Sequence, residues 1–218
     1  MTPIVLFTLQ SALISTVIVV PIGLAIAWTL ARLDWRGKSL VETVVALPLV
    51  MPPVATGLIL LKLLGRRGII GSFLERLGID VVFTWRAVVA AMVVMSMPLF
   101  VRSARAALEE VNVRFENVAR TLGASEARVF FAITLPLAMR GVVGGTVLAL
   151  ARAIGEFGAT IVVAGNIPGR TTTLSLAIFG AIELGKDAEA YRLMVVAVII
   201  AFAALWIHEA IVRRGTLR

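Results

Sequence analysis

Apolar residues run in long blocks along this chain, separated by short stretches that carry most of the arginine, lysine, aspartate and glutamate. A helix needs about 20 predominantly apolar residues to cross a hydrocarbon core of about 30 Å. Five blocks meet that length: Leu6–Leu30, Leu40–Leu64, Phe83–Val101, Gly141–Ala164 and Leu193–Val212. A further block, Thr171–Leu184, has only fourteen residues, which predicts a re-entrant or buried half-helix rather than a span. The expected fold class is all-α integral membrane, with about five transmembrane helices in one domain covering residues 1–218. The first block has neither a basic leader nor a small-residue cleavage site, so it predicts a first span and not a cleaved signal peptide.

The longest polar stretch, residues 102–140, reads as helix, break, helix. Val111, Phe115, Val118 and Leu122 recur at the spacing of one helical face, predicting a helix over Val111–Leu122. Gly123 follows where a helix end calls for a left-handed residue. Ser125 is placed to cap the next helix, and Glu126 in its first turn suits the positive end of the dipole. Val129, Phe130, Ile133 and Leu137 make a second apolar stripe, and Pro136 is expected to end or kink that helix before the next span. Two short amphipathic helices around a glycine corner suit either a partner's groove or a lipid headgroup surface, and spacing alone leaves both open.

Composition agrees with the pattern: 60% of residues are hydrophobic, well above the soluble range of roughly 45–50%. The chain has no cysteine, which excludes disulfides, iron–sulfur clusters and thiol nucleophiles. The net charge of +8 reads as loop arginines that set topology rather than a nucleic-acid surface. With the N-terminus outside, twelve Arg and Lys residues fall on the cytoplasmic side and eight on the other. The twelve include Arg32, Arg36, Lys38, Arg105, Arg120 and, at the C-terminus, Arg213, Arg214 and Arg218. Trp35, Trp85 and Trp206 near the block ends read as interfacial anchors. His208, the single histidine, lies beside Glu209 near the end of the last block and reads as an interface residue.

Charges inside the fourth block are the candidate chemistry. In "ALARAIGEFGAT" (149–160), Arg152, Glu156 and Thr160 recur every four residues beside a small-residue stripe of Gly141, Gly145, Ala149 and Ala153. Small residues let another helix approach closely. Charges at membrane depth are costly, face a bundle interior or a water-filled cavity, and are eased by pairing one turn apart. Spacing leaves two readings open, a brace between helices and the lining of an ion pathway. In the second block Pro48, Pro52 and Pro53 predict a kink, which is either a plain packing kink or, with Met51 among them, a gate lined by freed carbonyls.

The stretch "ENVARTLGASEARVFFAITLP" (116–136) resembles the EAA loop of importer-type ABC transporter permeases. Gly123 is followed by nine residues and then Ile133-Thr134-Leu135-Pro136, as in that pattern; Glu116 lies one residue further from the glycine than is general, with Asn117 in the usual slot. "LPLVMPP" (47–53), "LLGRRGIIG" (63–71), "ARAIGEFGAT" and "GNIPGRTTTLSLAIF" (165–179) are similar to segments of the molybdate branch of the family, whose sulfate relatives are close. The resemblance implies the importer-type permease fold and a cytoplasmic coupling loop at about 111–137. Within it Glu116, Ala119, Arg120, Thr121, Leu122, Gly123, Ala124, Ser125, Ile133, Leu135 and Pro136 would dock a separate ATPase. ATP and Mg would bind that partner, since the chain has no G-x-x-x-x-G-K-[ST] loop, and no cofactor, metal or catalytic residue is expected here. It also implies an extracytoplasmic molybdate- or tungstate-binding protein, a second copy of the chain and a place in the cytoplasmic (inner) membrane. A sulfate or thiosulfate permease is the alternative within the class. A stand-alone ion channel would not need the loop, and an intramembrane enzyme built on Glu156 would lack a second catalytic group.

Overall fold

A computed structural model describes residues 1–213, and every regular element among them is helical. Arg214 and Arg218, counted above among the basic residues, lie outside the described residues. Four helices are long and apolar enough to cross a membrane. They are α1 (Thr2–Arg32), α5 (Trp85–Glu109), the run Glu126–Ile154 and the helix that starts at Asp187. The fifth expected span is a broken pair, α2 (Lys38–Val50) and α3 (Pro53–Leu64), bent by 117°.

That bend corrects the expected kink. A residue before proline is pushed out of the α region, and here two such positions are consecutive. Met51 and Pro52 are both extended, with ψ of 145° and 131°, so the helix stops and restarts. Glu42 of α2 pairs with Arg105 near the C-terminal end of α5, while Leu64 at the far end of α3 lies with Val81–Thr84 at its N-terminal end. Together the two pieces carry the chain from one end of the bundle to the other.

Pro136, expected to end or kink its helix, does not end it. A short α7 (Glu126–Val129) runs through a π-helical turn (Phe130–Thr134) into α8 (Leu135–Ile154), with Pro136 in the first turn of α8. The wider turn, in which the Leu135 N–H donates to the Phe130 carbonyl, absorbs a proline that lacks its own N–H. The fourth block is also discontinuous. α8 ends at Ile154, and after Gly155, Glu156 and Phe157 the chain resumes as α9 (Gly158–Val163). The fourteen-residue block forms α10 (Leu174–Glu183), a ten-residue helix packed on α11 (Asp187–Arg213).

At the centre, α5 lies between α1 and α8, with Ala87, Val88, Met92, Met95, Phe100 and Ala104 fully or almost fully buried. The small-residue stripe of α8 is what allows this. A Cβ at Gly145 would stand 2.8 Å from the Ser103 Cβ, and one at Gly141 would strike Ala107. The Ser103 hydroxyl donates to the Gly141 carbonyl at 3.1 Å. His208 Nδ1 lies 3.0 Å from the Gly144 carbonyl oxygen, so the histidine joins α11 to α8 instead of standing at an interface. The outward face of α11, with Val195, Val198, Phe202 and Trp206, is exposed along its length, as a lipid-facing surface requires. Trp35 and Trp85 are likewise about half exposed.

Candidate functional site

The polar stretch builds a projecting corner. α6 (Val113–Thr121) starts at Asn112, whose side chain accepts from the Arg114 N–H at 3.0 Å. It ends in a left-handed Gly123 at φ +84°, where the Gly123 N–H donates to the Arg120 carbonyl and the Ala124 N–H to the Ala119 carbonyl, each at 3.0 Å. That pair of bonds is the Schellman arrangement, which satisfies carbonyls a helix end would otherwise leave open. Ser125 then caps α7 by accepting from the Arg128 N–H at 3.4 Å.

Arg120 braces the two arms. Its Nε and Nη2 donate to the two carboxylate oxygens of Glu126 at 2.7 and 3.0 Å, and its Nη1 donates to Asn117 at 2.9 Å. The hydrogen-bonded carboxylate of Glu126 pushes the Arg120 pKa above its ordinary value. The Thr121 hydroxyl turns back onto the Val118 carbonyl at 2.8 Å. Ala124, Ile133 and Leu135 are half-buried and Pro136 is exposed.

The polarity of α6 is inverted. Phe115, Val118 and Leu122 face solvent, Leu122 with 83% of its surface exposed, while the buried side chain of the helix is Glu116, 2% exposed. Glu116 Oε1 accepts from Arg32 Nε at 3.0 Å, from Arg32 Nη2 at 2.7 Å and from the Thr134 hydroxyl at 2.8 Å. Arg120 Nη2 approaches the other oxygen at 3.7 Å. From the sequence Arg32 reads only as a topology charge and Thr134 as a spacer within "ITLP". An arginine closing a span and a threonine between two apolar positions carry no local signal of a shared partner.

The second cluster joins two segments that are about a hundred residues apart in sequence. Arg152 stands in the last turn of α8, Glu156 in the break and Thr160 in α9, so the three do not share one helical face as their spacing predicted. Arg152 Nη1 still lies 2.7 Å from Glu156 Oε2, but off the line of a hydrogen bond, so the contact is an ion pair. Glu156 Oε1 accepts from the Ala159 N–H at 2.8 Å, which caps α9. Only Arg152 keeps exposed surface, 26% of its side chain; Glu156 and Thr160 are enclosed within the chain.

Across from them sits the start of α3. A Cβ at Gly158 would stand 2.7 Å from the Pro53 Cβ, and one at Gly57 2.7 Å from the Ala159 carbonyl oxygen. The proline break and the charged break therefore meet at one crossing of short helices. Pro52 and Pro53 are exposed, and Pro48 and Met51 half-exposed, at its edge. Among the described residues Thr56 Oγ1, Glu156 Oε2 and Thr160 Oγ1 are buried without a hydrogen-bond partner, which leaves unused polar capacity at this crossing. Thr56 is a further residue of this cluster that the sequence reading missed, since a lone threonine in an apolar block shows no signal.

Comparison with known proteins follows the same lines. Residues 19–214 match the family described as binding-protein-dependent transport system inner membrane component. The chain is 46% identical over 211 residues to the molybdenum transport system permease protein ModB of Escherichia coli (strain K12), covering 96% of this chain and 92% of that protein. It is 43% identical over 196 residues to the protein of the same name from Haemophilus influenzae, covering 89% of this chain and 86% of that one. The fold is similar to that of a chain of the MetNI methionine ABC transporter in inward facing conformations, with a TM-score of 0.73 at 18% identity over 95% of this chain and 92% of that chain.

Proposed function

The chain belongs to the family of binding-protein-dependent transport system inner membrane components, and from that premise we propose that it is the permease subunit of an ATP-driven ABC importer for molybdate or tungstate. The observation that carries the coupling half of this reading is the inverted helix α6. A helix that buries a glutamate and exposes phenylalanine, valine and leucine has an apolar face suited to a partner's groove. The covering partner is the cytoplasmic ATPase, which binds ATP and Mg and receives α6, Gly123 and α7 in a groove. This orientation sets the N-terminus outside and the C-terminus in the cytoplasm.

The substrate half rests on likeness to the two ModB proteins, whose names describe molybdenum transport. A tetrahedral dianion is captured by a separate extracytoplasmic binding protein, so the permease needs only a weak, transient path. Arg152, the exposed member of the cluster, supplies positive potential along that path, its partner Glu156 keeps the site from trapping the anion, and Thr160 lies enclosed behind them. The crossing of α3 and α9, beside Pro48, Met51, Pro52 and Pro53, serves as the gate. A second copy of the chain, related by a two-fold axis, completes the enclosure.

The test is uptake into vesicles that hold the permease, its ATPase and its binding protein. Molybdate or tungstate should accumulate in preference to sulfate at equal low concentration. Preference for sulfate or thiosulfate would remove the molybdate assignment and leave the importer assignment standing.

A further inference from the structure

The one buried side chain of α6 is also the point where three elements converge. Glu116 in the first turn of α6 meets Arg32, the last residue of α1, and Thr134, the last residue of the π-helical turn that leads into α8. All three donated hydrogen bonds fall on the same oxygen, Oε1, and Arg32 Nη2 also donates to the Val111 carbonyl at 3.3 Å just ahead of α6. The apolar side chains of α6 point away from this contact and are exposed. Hence the one buried side chain that fastens α6 to the body of the protein is a charged one.

Burying an ion pair is a poor way to gain stability, because the desolvation cost offsets most of the attraction. Its directional strength is different: a charge-assisted arginine–carboxylate pair tolerates little change in position, whereas apolar contacts slide. A displacement of α6 must therefore pull Arg32 and the end of α1 with it. Through Thr134 it also pulls on the π-helical turn, where the backbone bonding is already off the α-helical register.

Resting on the reading that α6 docks an ATPase, we infer that Glu116 is a positioning residue for coupling. It passes movement of the docking helix through Arg32 to α1 and through Thr134 to α8. Arg120 and Glu126 hold the corner itself and lie outside this link, apart from the 3.7 Å approach of Arg120.

The experiment uses the complete transporter in vesicles and reads substrate taken up per ATP hydrolysed. Glu116→Gln keeps the shape and an acceptor oxygen but loses the charge. Thr134→Val removes one neutral donor and keeps the ion pair. Both variants should assemble and hydrolyse ATP while uptake per ATP falls, by about tenfold for Glu116→Gln and about threefold for Thr134→Val, the scale of a coupling free energy. Arg32→Lys, which retains charge but not the fork, should fall between them. If these variants lower only the amount of assembled complex, with uptake per ATP unchanged, Glu116 is a structural clamp and the inference is overturned. Should Glu116→Gln fail to assemble, an unchanged ratio in Thr134→Val and Arg32→Lys overturns it equally. A wild-type complex that hydrolyses ATP without transport would instead count against the importer assignment itself.

Discussion

Replacing Gly123 separates the backbone's role at the docking corner from any role of space. Gly123 holds φ at +84°, and a Cβ built there meets no atom within 4 Å. Within this chain side-chain volume meets no obstacle, and the penalty on the turn itself comes from left-handed φ. That penalty is about 1–2 kcal/mol for an ordinary L-residue, smaller for asparagine, and larger for a β-branched residue. At about 1.4 kcal/mol per factor of ten, Gly123→Ala should weaken binding of the ATPase about tenfold, Gly123→Asn only about threefold, and Gly123→Val more than alanine. The corner stands at the surface of the bundle, so the thermal stability of the permease alone in detergent should stay unchanged. The assay is titration of the detergent-solubilised permease with its ATPase, reading the apparent dissociation constant for each variant. Size would rank alanine above asparagine, and φ preference ranks them the other way. If Gly123→Asn binds no better than Gly123→Ala, or if Gly123→Val binds as wild type, the turn does not govern docking.

Two further substitutions probe the crossing. Gly57→Ala puts a methyl group 2.7 Å from the Ala159 carbonyl oxygen and 2.9 Å from its Cα, backbone atoms that cannot swing aside; thermal unfolding in detergent should show a loss of about 1–3 kcal/mol, and an unchanged transition would mean that α3 and α9 do not meet this closely. Replacing Arg152 and Glu156 together with Gln leaves no unpaired charge, so the complex should assemble while uptake per assembled complex falls severalfold; near-normal uptake would leave the pair as a brace between helices.

Much of this architecture was legible in the sequence because block length and local spacing are one-dimensional signals. α1 and α5 lie where apolar length put them, the Gly123 turn and Ser125 cap follow from local rules, and α10 is as short as its block implied. The misreadings share a cause, since each depends on what a neighbour supplies. Pro136 reads as an end or a kink, but a π-helical turn just upstream takes up the missing bond and the helix continues. The second block was read as kinked, although consecutive prolines at 52 and 53 constrain two preceding residues, Met51 and Pro52, and that is enough to break a helix. The break at 155–157 was hidden because Glu156 keeps a four-residue spacing from Arg152 while its other oxygen caps a new helix. Glu116 reads from the sequence as part of the coupling loop, and its burial has no local signal because it depends on Arg32, eighty-four positions away.

The continuity at Pro136 bears directly on how the two clusters relate. From Glu126 to Ile154 the chain is one helical run of 29 residues, about 44 Å long at 1.5 Å per residue. Ser125 caps one end at the docking corner, and Arg152 stands in the last turn at the other. Had the proline broken the run, motion at the corner would have been lost in a flexible joint before it reached the charged crossing. An unbroken helix carries it, because its interior hydrogen bonds resist bending far more than a loop does. The softer place along it is the π-helical turn, and that is where Thr134 is tied to Glu116. Under the proposed function, closure of the ATPase around α6 would therefore act on the same helix at its cap and at its irregular turn. Arg152, paired but partly exposed, stands in the last turn of that same helix, on the far side of the irregular turn.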